Sequence, residues 1–253
     1  MPSTDSGERI YAIGDIHGRY DLLQLLLDQI GEHARALPPA RSFYIVFVGD
    51  LVDRGPQSAE VLAMLYDLQL KSKHVMVLLG NHEEAMLQAL QGDPQMFRRW
   101  LAVGGVETLR SFGVGPMEED ENVRDYILRA RAAVPRPWLS WLSRLPLSVQ
   151  SGDYYFVHAG VRPGVALNRQ NRDDMLWIRE DFLEDTRNHG AVIVHGHSIA
   201  ADVEIRKNRI GIDTGAYESG VLSAIYLEGQ EQQVIAARMP VAQDFESGRT
   251  GRL

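Results

Sequence analysis

An α/β fold is predicted for this chain by three observations. Apolar runs alternate with amphipathic segments through the first third, which argues for βαβ units and a largely parallel sheet. Several apolar runs end in a short cassette of Gly with Asp, His or Asn. Toward the C-terminus, strand-like runs separated by Gly-containing turns point to a second sheet.

In order, residues 9–13 read as a strand and 20–32 as a helix, with Leu22, Leu23, Leu26, Leu27 and Ile30 at helical spacing. Residues 42–48, rich in β-branched and aromatic types, form the next strand, and 58–70 the next helix. A strand at 74–79 and a helix at 83–90 follow. From 92 to 146 the pattern changes to helical segments broken by Gly and Pro, including 97–103, 122–132 and 137–145, and reads as a helical insert. Its tryptophans Trp100, Trp138 and Trp141 read as helix core, with the shaping of a cleft as the lesser alternative. Residues 147–157 and 191–194 look like strands, and 209–213, 221–228 and 232–238 suit an antiparallel set. One domain over 1–239 is expected, with a polar tail at 240–253 expected to be mobile.

Composition excludes several classes. At 253 residues, with 45% hydrophobic and 24% charged content, the chain is an ordinary globular one able to bury a full core. A net charge of −8 disfavours a broad basic surface for nucleic acid or anionic membrane. Positive charge is almost all arginine, the better bidentate partner for phosphate, since Lys71, Lys73 and Lys207 are the only lysines. With no cysteine there are no disulfides, thiolate metal sites or cysteine nucleophiles. No secretory signal and no bilayer-spanning apolar run is present, so a cytoplasmic protein is expected.

Five cassettes carry the chemistry: Gly14 to Gly18, Gly49 to Gly55, Gly80 to Glu83, Val157 to Gly160, and His195 to His197. Asp15 and His17 alone could be a helix cap and an exposed histidine. Asp50, Asp53 and Arg54 could be a turn before a helix, although three charges beside an apolar strand are costly to explain that way. Asp50 can bridge two divalent cations, whereas Arg54 suits a substrate phosphate. Asn81 has a neutral amide oxygen fit for a hard cation, alongside an N-cap role, and His82 could stay off the metal as an acid. His158 alone would be a core histidine, and His197 follows Gly196 after a strand. Coincidence would not place every ligand type at a strand end. The mixed N/O donor set favours Mn, with Fe, Zn or Mg as alternatives, over calcium.

In this order the five cassettes resemble the phosphoprotein phosphatase branch of the calcineurin-like metallophosphoesterases, nearest to bacterial serine/threonine phosphatases of the phage lambda type. The resemblance spans residues 9–228, and the runs from Leu176 to Glu180 and from Ile212 to Ala216 add looser matches. It implies a central sandwich of two mixed sheets flanked by helices. It implies one metal on Asp15, His17 and bridging Asp50, and another on Asp50, Asn81, His158 and His197. Arg54 and Arg179 would hold phosphate, and His82 paired with Asp53 would serve the leaving group. His195 is not a ligand in that motif and is expected behind the ligands. Wider relatives carry a further histidine where this chain has Ile199, so the first metal should have fewer protein ligands.

The expected function is hydrolysis of phosphoserine and phosphothreonine proteins, with phosphotyrosine as a further candidate, by direct attack of a hydroxide bridging the metals. The leading alternative is a symmetrical diadenosine tetraphosphate hydrolase. A nucleic-acid phosphodiesterase and an inactive binding module rank lower, the latter because no ligand or arginine of the pattern is missing.

Overall fold

The computed structural model describes residues 1–239, and the tail expected to be mobile, 240–253, lies outside the described residues. The strands are β1 (Glu8–Ile13), β2 (Ser42–Phe47), β3 (Val75–Val77), β4 (Ser148–Ser151), β5 (Tyr154–Val157), β6 (Val192–His195), β7 (Glu204–Ile205), β8 (Arg209–Gly211), β9 (Val221–Glu228) and β10 (Glu231–Arg238). The helices are α1 (Tyr20–Ala36), α2 (Ser58–Lys71), α3 (Asn81–Ala89), α4 (Pro94–Trp100), α5 (Val106–Ser111), α6 (Val123–Ala133), α7 (Arg136–Leu142), α8 (Arg172–Trp177), α9 (Glu180–Leu183) and α10 (Ala216–Ser219). None is long and apolar enough to cross a membrane among the described residues.

Two five-stranded mixed sheets result, in the orders β10-β9-β1-β2-β3 and β4-β5-β6-β8-β7. β1, β2 and β3 pair parallel in the first sheet, with β9 and β10 added antiparallel beyond β1; β5, β6 and β8 pair parallel in the second, with β4 and β7 antiparallel at its two edges. Period-2 alternation sorts each strand's side chains into layers. Ile10, Ala12, Val46, Val48, Ile225 and Leu227 from the first sheet meet Tyr154, Phe156, Val192, Val194, Ile210 and Ile212 from the second, forming the core between sheets. Their neighbours Tyr11, Ile13, Phe47, Ala224 and Tyr226 face the other way, onto Leu22, Leu23 and Leu26 of α1 and Val61, Leu62 and Leu65 of α2. On the far side, Tyr155, Val157 and Ile193 pack against Met175, Ile178 and Phe182. The order is therefore helix, sheet, sheet, helix.

Two strand assignments are corrected. The run 147–157 is a hairpin, β4 paired antiparallel with β5 about a turn at Gly152, rather than continuous strand. The last three strands do not form one antiparallel set. β8 lies parallel to β6 in the second sheet, whereas β9 and β10 add to the first beside β1. Short glycine-punctuated spacing cannot distinguish these arrangements, because Asp213 to Gly220 is not a tight turn but a crossing that holds α10.

The insert is helical over α4 to α7. Asp93 caps α4 through Gln95 N and Met96 N, and Asn122 caps α6 through Arg124 N and Asp125 N. The helix expected at 97–103 ends at Trp100, after which Leu101–Gly105 is a wide turn broken at Gly104, φ 118°. That conformation brings Gly104 so close to the second cassette that a Cβ would stand 2.6 Å from the Arg54 nitrogen.

Phe156 is fully buried between the sheets. Phe156→Ala should lower stability by about 3–5 kcal/mol in urea unfolding, as expected for a large cavity in a core that cannot collapse.

Candidate active site

The loops after β1, β2, β3, β5 and β6 converge, each carrying one cassette. The backbones after β1, β2 and β6 are strained. The non-glycine residues with positive φ among the described residues are His17 (45°), Asp50 (48°), Asp53 (72°), Arg54 (69°) and His197 (63°), all of them candidate site residues. Such conformations cost roughly 1–3 kcal/mol each and persist where surrounding contacts hold them.

Two clusters share Asp50. One groups its carboxylate with His17 and His82, the other with His158 and His197. His17 Nδ1 lies 2.8 Å from Val52 O, and His158 Nδ1 lies 2.9 Å from Val48 O. Those carbonyls place the ring protons on Nδ1 and turn the Nε2 lone pairs inward. His158 Nε2 then faces Asn81 Oδ1 at 2.7 Å and Asp50 Oδ1 at 3.4 Å. Acceptors that close without a proton between them fit a shared cation.

Asp15 joins the same centre through Oδ2, which accepts the backbone N–H of His197 at 2.9 Å. Its Oδ1 and His197 Nε2 are buried without any hydrogen-bond partner. Gly196 makes that approach possible, because a Cβ there would stand 1.9 Å from Asp15 Oδ1. Burial and the nearby carboxylates of Asp213 and Asp50 push Asp15 well up, and burial pushes Asp213 up to about 6. Burial pushes His17 down to about 3 and His197 to about 2, with His158 lowered in the same way. Crowded carboxylates with neutral imidazoles are the composition a divalent cation stabilises. Orphaned donor atoms and donor chemistry together show that these residues fit divalent metals.

Beside the clusters lies a second group. His82 Nδ1 is 2.7 Å from Asp53 Oδ2. Asp53 is fully buried and accepts Trp100 Nε1 on both oxygens at 3.0 Å and Thr108 Oγ1 at 2.7 Å. Burial opposes a charge on His82, but the charge of Asp50 and the bond and charge of Asp53 outweigh it and hold the imidazole above its ordinary value. Arg54 reaches His17 Nε2 and His82 Nε2 at 3.2 and 3.1 Å, lies 4.7 Å over the Tyr217 ring, and has its backbone N–H on Gly104 O. Exposed Arg179 donates to His197 O at 3.2 Å.

Asn81, expected as an N-cap, is instead the first residue of α3, and Gly80 is the cap. The helix thus starts two residues before the expected 83, because Glu83 folds back. Its Oε2 accepts the N–H groups of Gly80 and Asp50, both at 3.0 Å, and its Oε1 those of Leu51 at 2.8 Å and Val52 at 3.1 Å. Arg19, not Asp15, is the N-cap of α1.

His195 stands apart from both clusters. Its ring nitrogens meet Gly196 O and Arg209, and Phe182 packs on it. Ile199 is exposed and packs on Gly215. Sequence reasoning missed Trp100 and Thr108 as partners of Asp53, Glu83 as the loop clamp, and Asp213 beside Asp15. Two of these carried a signal: Asp213 is an aspartate just past a strand like Asp15 and Asp50, and Glu83 closes the third cassette. Trp138 and Trp141 pack where helix core was expected, whereas Trp100 is both core and partner of Asp53.

A family model described as calcineurin-like phosphoesterase matches residues 8–219. The serine/threonine-protein phosphatase 2 of Escherichia coli is 30% identical over 232 residues, covering 85% of this chain and 90% of that protein. The asymmetrical bis(5'-nucleosyl)-tetraphosphatase PrpE of Oceanobacillus iheyensis is 26% identical over 254 residues, covering 94% and 96%. Among solved structures, a metallophosphoesterase from Sphaerobacter thermophilus superposes with a TM-score of 0.53 at 18% identity, covering 93% of this chain and 89% of that one.

Glu83→Gln would leave an amide NH₂ facing backbone N–H groups that now meet a carboxylate oxygen. Stability should fall by about 2–4 kcal/mol in urea unfolding, more than a typical surface change.

Proposed function

The chain belongs to the calcineurin-like phosphoesterase family, and from that premise we propose that it is a two-metal phosphomonoesterase acting on phosphoserine and phosphothreonine in proteins. In this reading Asp15, His17 and Asp50 hold one divalent metal, and Asp50, Asn81, His158 and His197 the other. Manganese suits the mixed donor set best, with iron, zinc or magnesium as alternatives. Bound there, the metals supply an activated water and neutralise charge on the phosphoryl oxygens. Arg54 and Arg179 orient those oxygens, and the stacking of Arg54 on Tyr217 limits the freedom it would lose on binding.

The observation that carries the substrate class is the His82–Asp53 pair, 2.7 Å apart, with Asp53 also held by Trp100 and Thr108. A serine or threonine alkoxide is a poor leaving group and needs a proton as it departs. A nucleotide leaving from a polyphosphate is already a stable anion and needs it less. A histidine locked for donation by a buried carboxylate supports the alkyl ester. Dinucleoside tetraphosphate hydrolysis remains the second reading, favoured by the name of the PrpE relative, which matches nearly the whole chain.

Manganese-loaded protein assayed on phosphoserine, phosphothreonine and phosphotyrosine peptides, dinucleoside tetraphosphates and cyclic nucleotides separates these readings. Phosphopeptides should have the largest kcat/KM, and a preference for dinucleoside tetraphosphates would overturn the proposal. His82→Ala should retain metal and lose about 10²–10⁴-fold in kcat on alkyl phosphates, with a smaller loss on esters having good leaving groups. Equal losses would refute the acid role. Asp50→Ala should lose both metals together by elemental analysis, and two ions retained would rule out the bridge.

A further inference from the structure

Beside the site stands an indole that neither the core nor the reactive groups account for. Trp177 is 49% exposed, an unusual cost for the largest apolar side chain. It does not dangle. Its Nε1 donates to Glu84 Oε2 at 3.2 Å, and Arg172 Nε holds the other oxygen of Glu84 at 2.6 Å. Glu84 lies on α3, three residues after Asn81, and the indole stands edge-on to the His197 imidazole, with ring centroids 6.4 Å apart at 85°. Contacts from both the Asn81 and the His197 sides thus fix the ring, which also lies two residues before Arg179.

The surroundings continue the pattern. Ile199, 44% exposed, follows His197 by two residues, and Tyr217 stands against His17. Tyr217 is already covered by Arg54, whereas no guanidinium stacks on Trp177 among the described residues. A polar floor therefore carries an apolar rim whose one large, oriented and uncovered aromatic surface is Trp177.

The geometry points to Trp177 as a specificity-determining residue of this site, a stacking platform for a flat ring bonded through one oxygen to the scissile phosphorus, as in phosphotyrosine and other aryl phosphomonoesters. This rests on the phosphomonoesterase reading and adds to it. Reach selects this class. In an aryl ester the ring begins one oxygen from phosphorus, within range of a surface touching His197. Phosphoserine offers only a methylene there. A nucleobase is held away by its ribose and by any intervening phosphate. Aromatic stacking of this kind alters binding about 3- to 10-fold.

The test uses manganese-loaded full-length protein and two peptides of one sequence, carrying phosphotyrosine or phosphothreonine. Trp177→Ala should raise KM for the phosphotyrosine peptide about 3- to 10-fold, leave the phosphothreonine peptide within about twofold, and leave inhibition by inorganic phosphate unchanged. Trp177→Phe, which keeps a ring but loses the bond to Glu84, should leave KM for the phosphotyrosine peptide much closer to that of the unaltered protein. Should Trp177→Ala fail to fold, Trp177→Leu replaces it, keeping apolar bulk without a ring. Equal losses on both peptides, or none on either, would overturn the platform and leave the phosphomonoesterase reading standing. No turnover of either peptide by the unaltered protein would overturn both.

Discussion

The site depends on one buried carboxylate that makes no contact with substrate in any reading. Glu83 gathers four backbone N–H groups, from Gly80, Asp50, Leu51 and Val52, and so ties the loop after β2 to the start of α3. Asp50 and His82 are carried by those segments, and their relative position is set by this clamp together with the His82 N–H bond to Asp50 Oδ1 at 3.0 Å. The positive φ at Asp50 is tolerable because the neighbouring N–H groups are satisfied there and would be orphaned in a relaxed loop. Burial and the charge of Asp50 push Glu83 up to about 8, yet each of its oxygens accepts two N–H groups and leaves no place for a proton; four such bonds on one carboxylate can hold several kcal/mol of strain.

The insert extends the same logic to the reactive face. Trp100 and Thr108 bond Asp53, and Gly104 O accepts the Arg54 backbone N–H. A stretch with the hydrophobic pattern of ordinary helices thereby orients both the partner of His82 and the phosphate-binding arginine. Its packing through Phe97, Trp100 and Tyr126 makes the support rigid.

Electrostatically the centre is unbalanced by itself. Asp15, Asp50 and Asp213 crowd together beside imidazoles that burial keeps neutral. The arrangement is costly for the folding of the bare chain and favourable to divalent cations, so affinity for metal and strain in the fold have one origin. Trp177 and Ile199 add the opposite character at the rim, where exposed apolar surface meets the polar floor.

Much of this was legible in the amino-acid order. Strands β1, β2 and β3 each announce themselves by a run of apolar residues and deliver a cassette at the carboxyl end, where a parallel sheet binds ligands. Asp15, His17, Asp50, Asn81, His158 and His197 could be named because each follows such a run closely, His17 farthest behind, past Ile13 by Gly14, Asp15 and Ile16. The pairing of β9 and β10 with β1 could not be read, because an open strand edge is chosen by long-range geometry rather than by local spacing. The hydrogen bonds of Trp100 and Thr108 to Asp53 escaped for the same reason, since they join residues about fifty positions apart. The sequence by itself determined which side chains stand at strand ends and what chemistry they can perform. Tertiary structure decided which of them meet, which backbones are held strained and which tryptophan faces water, because these depend on contacts between segments that no local pattern records.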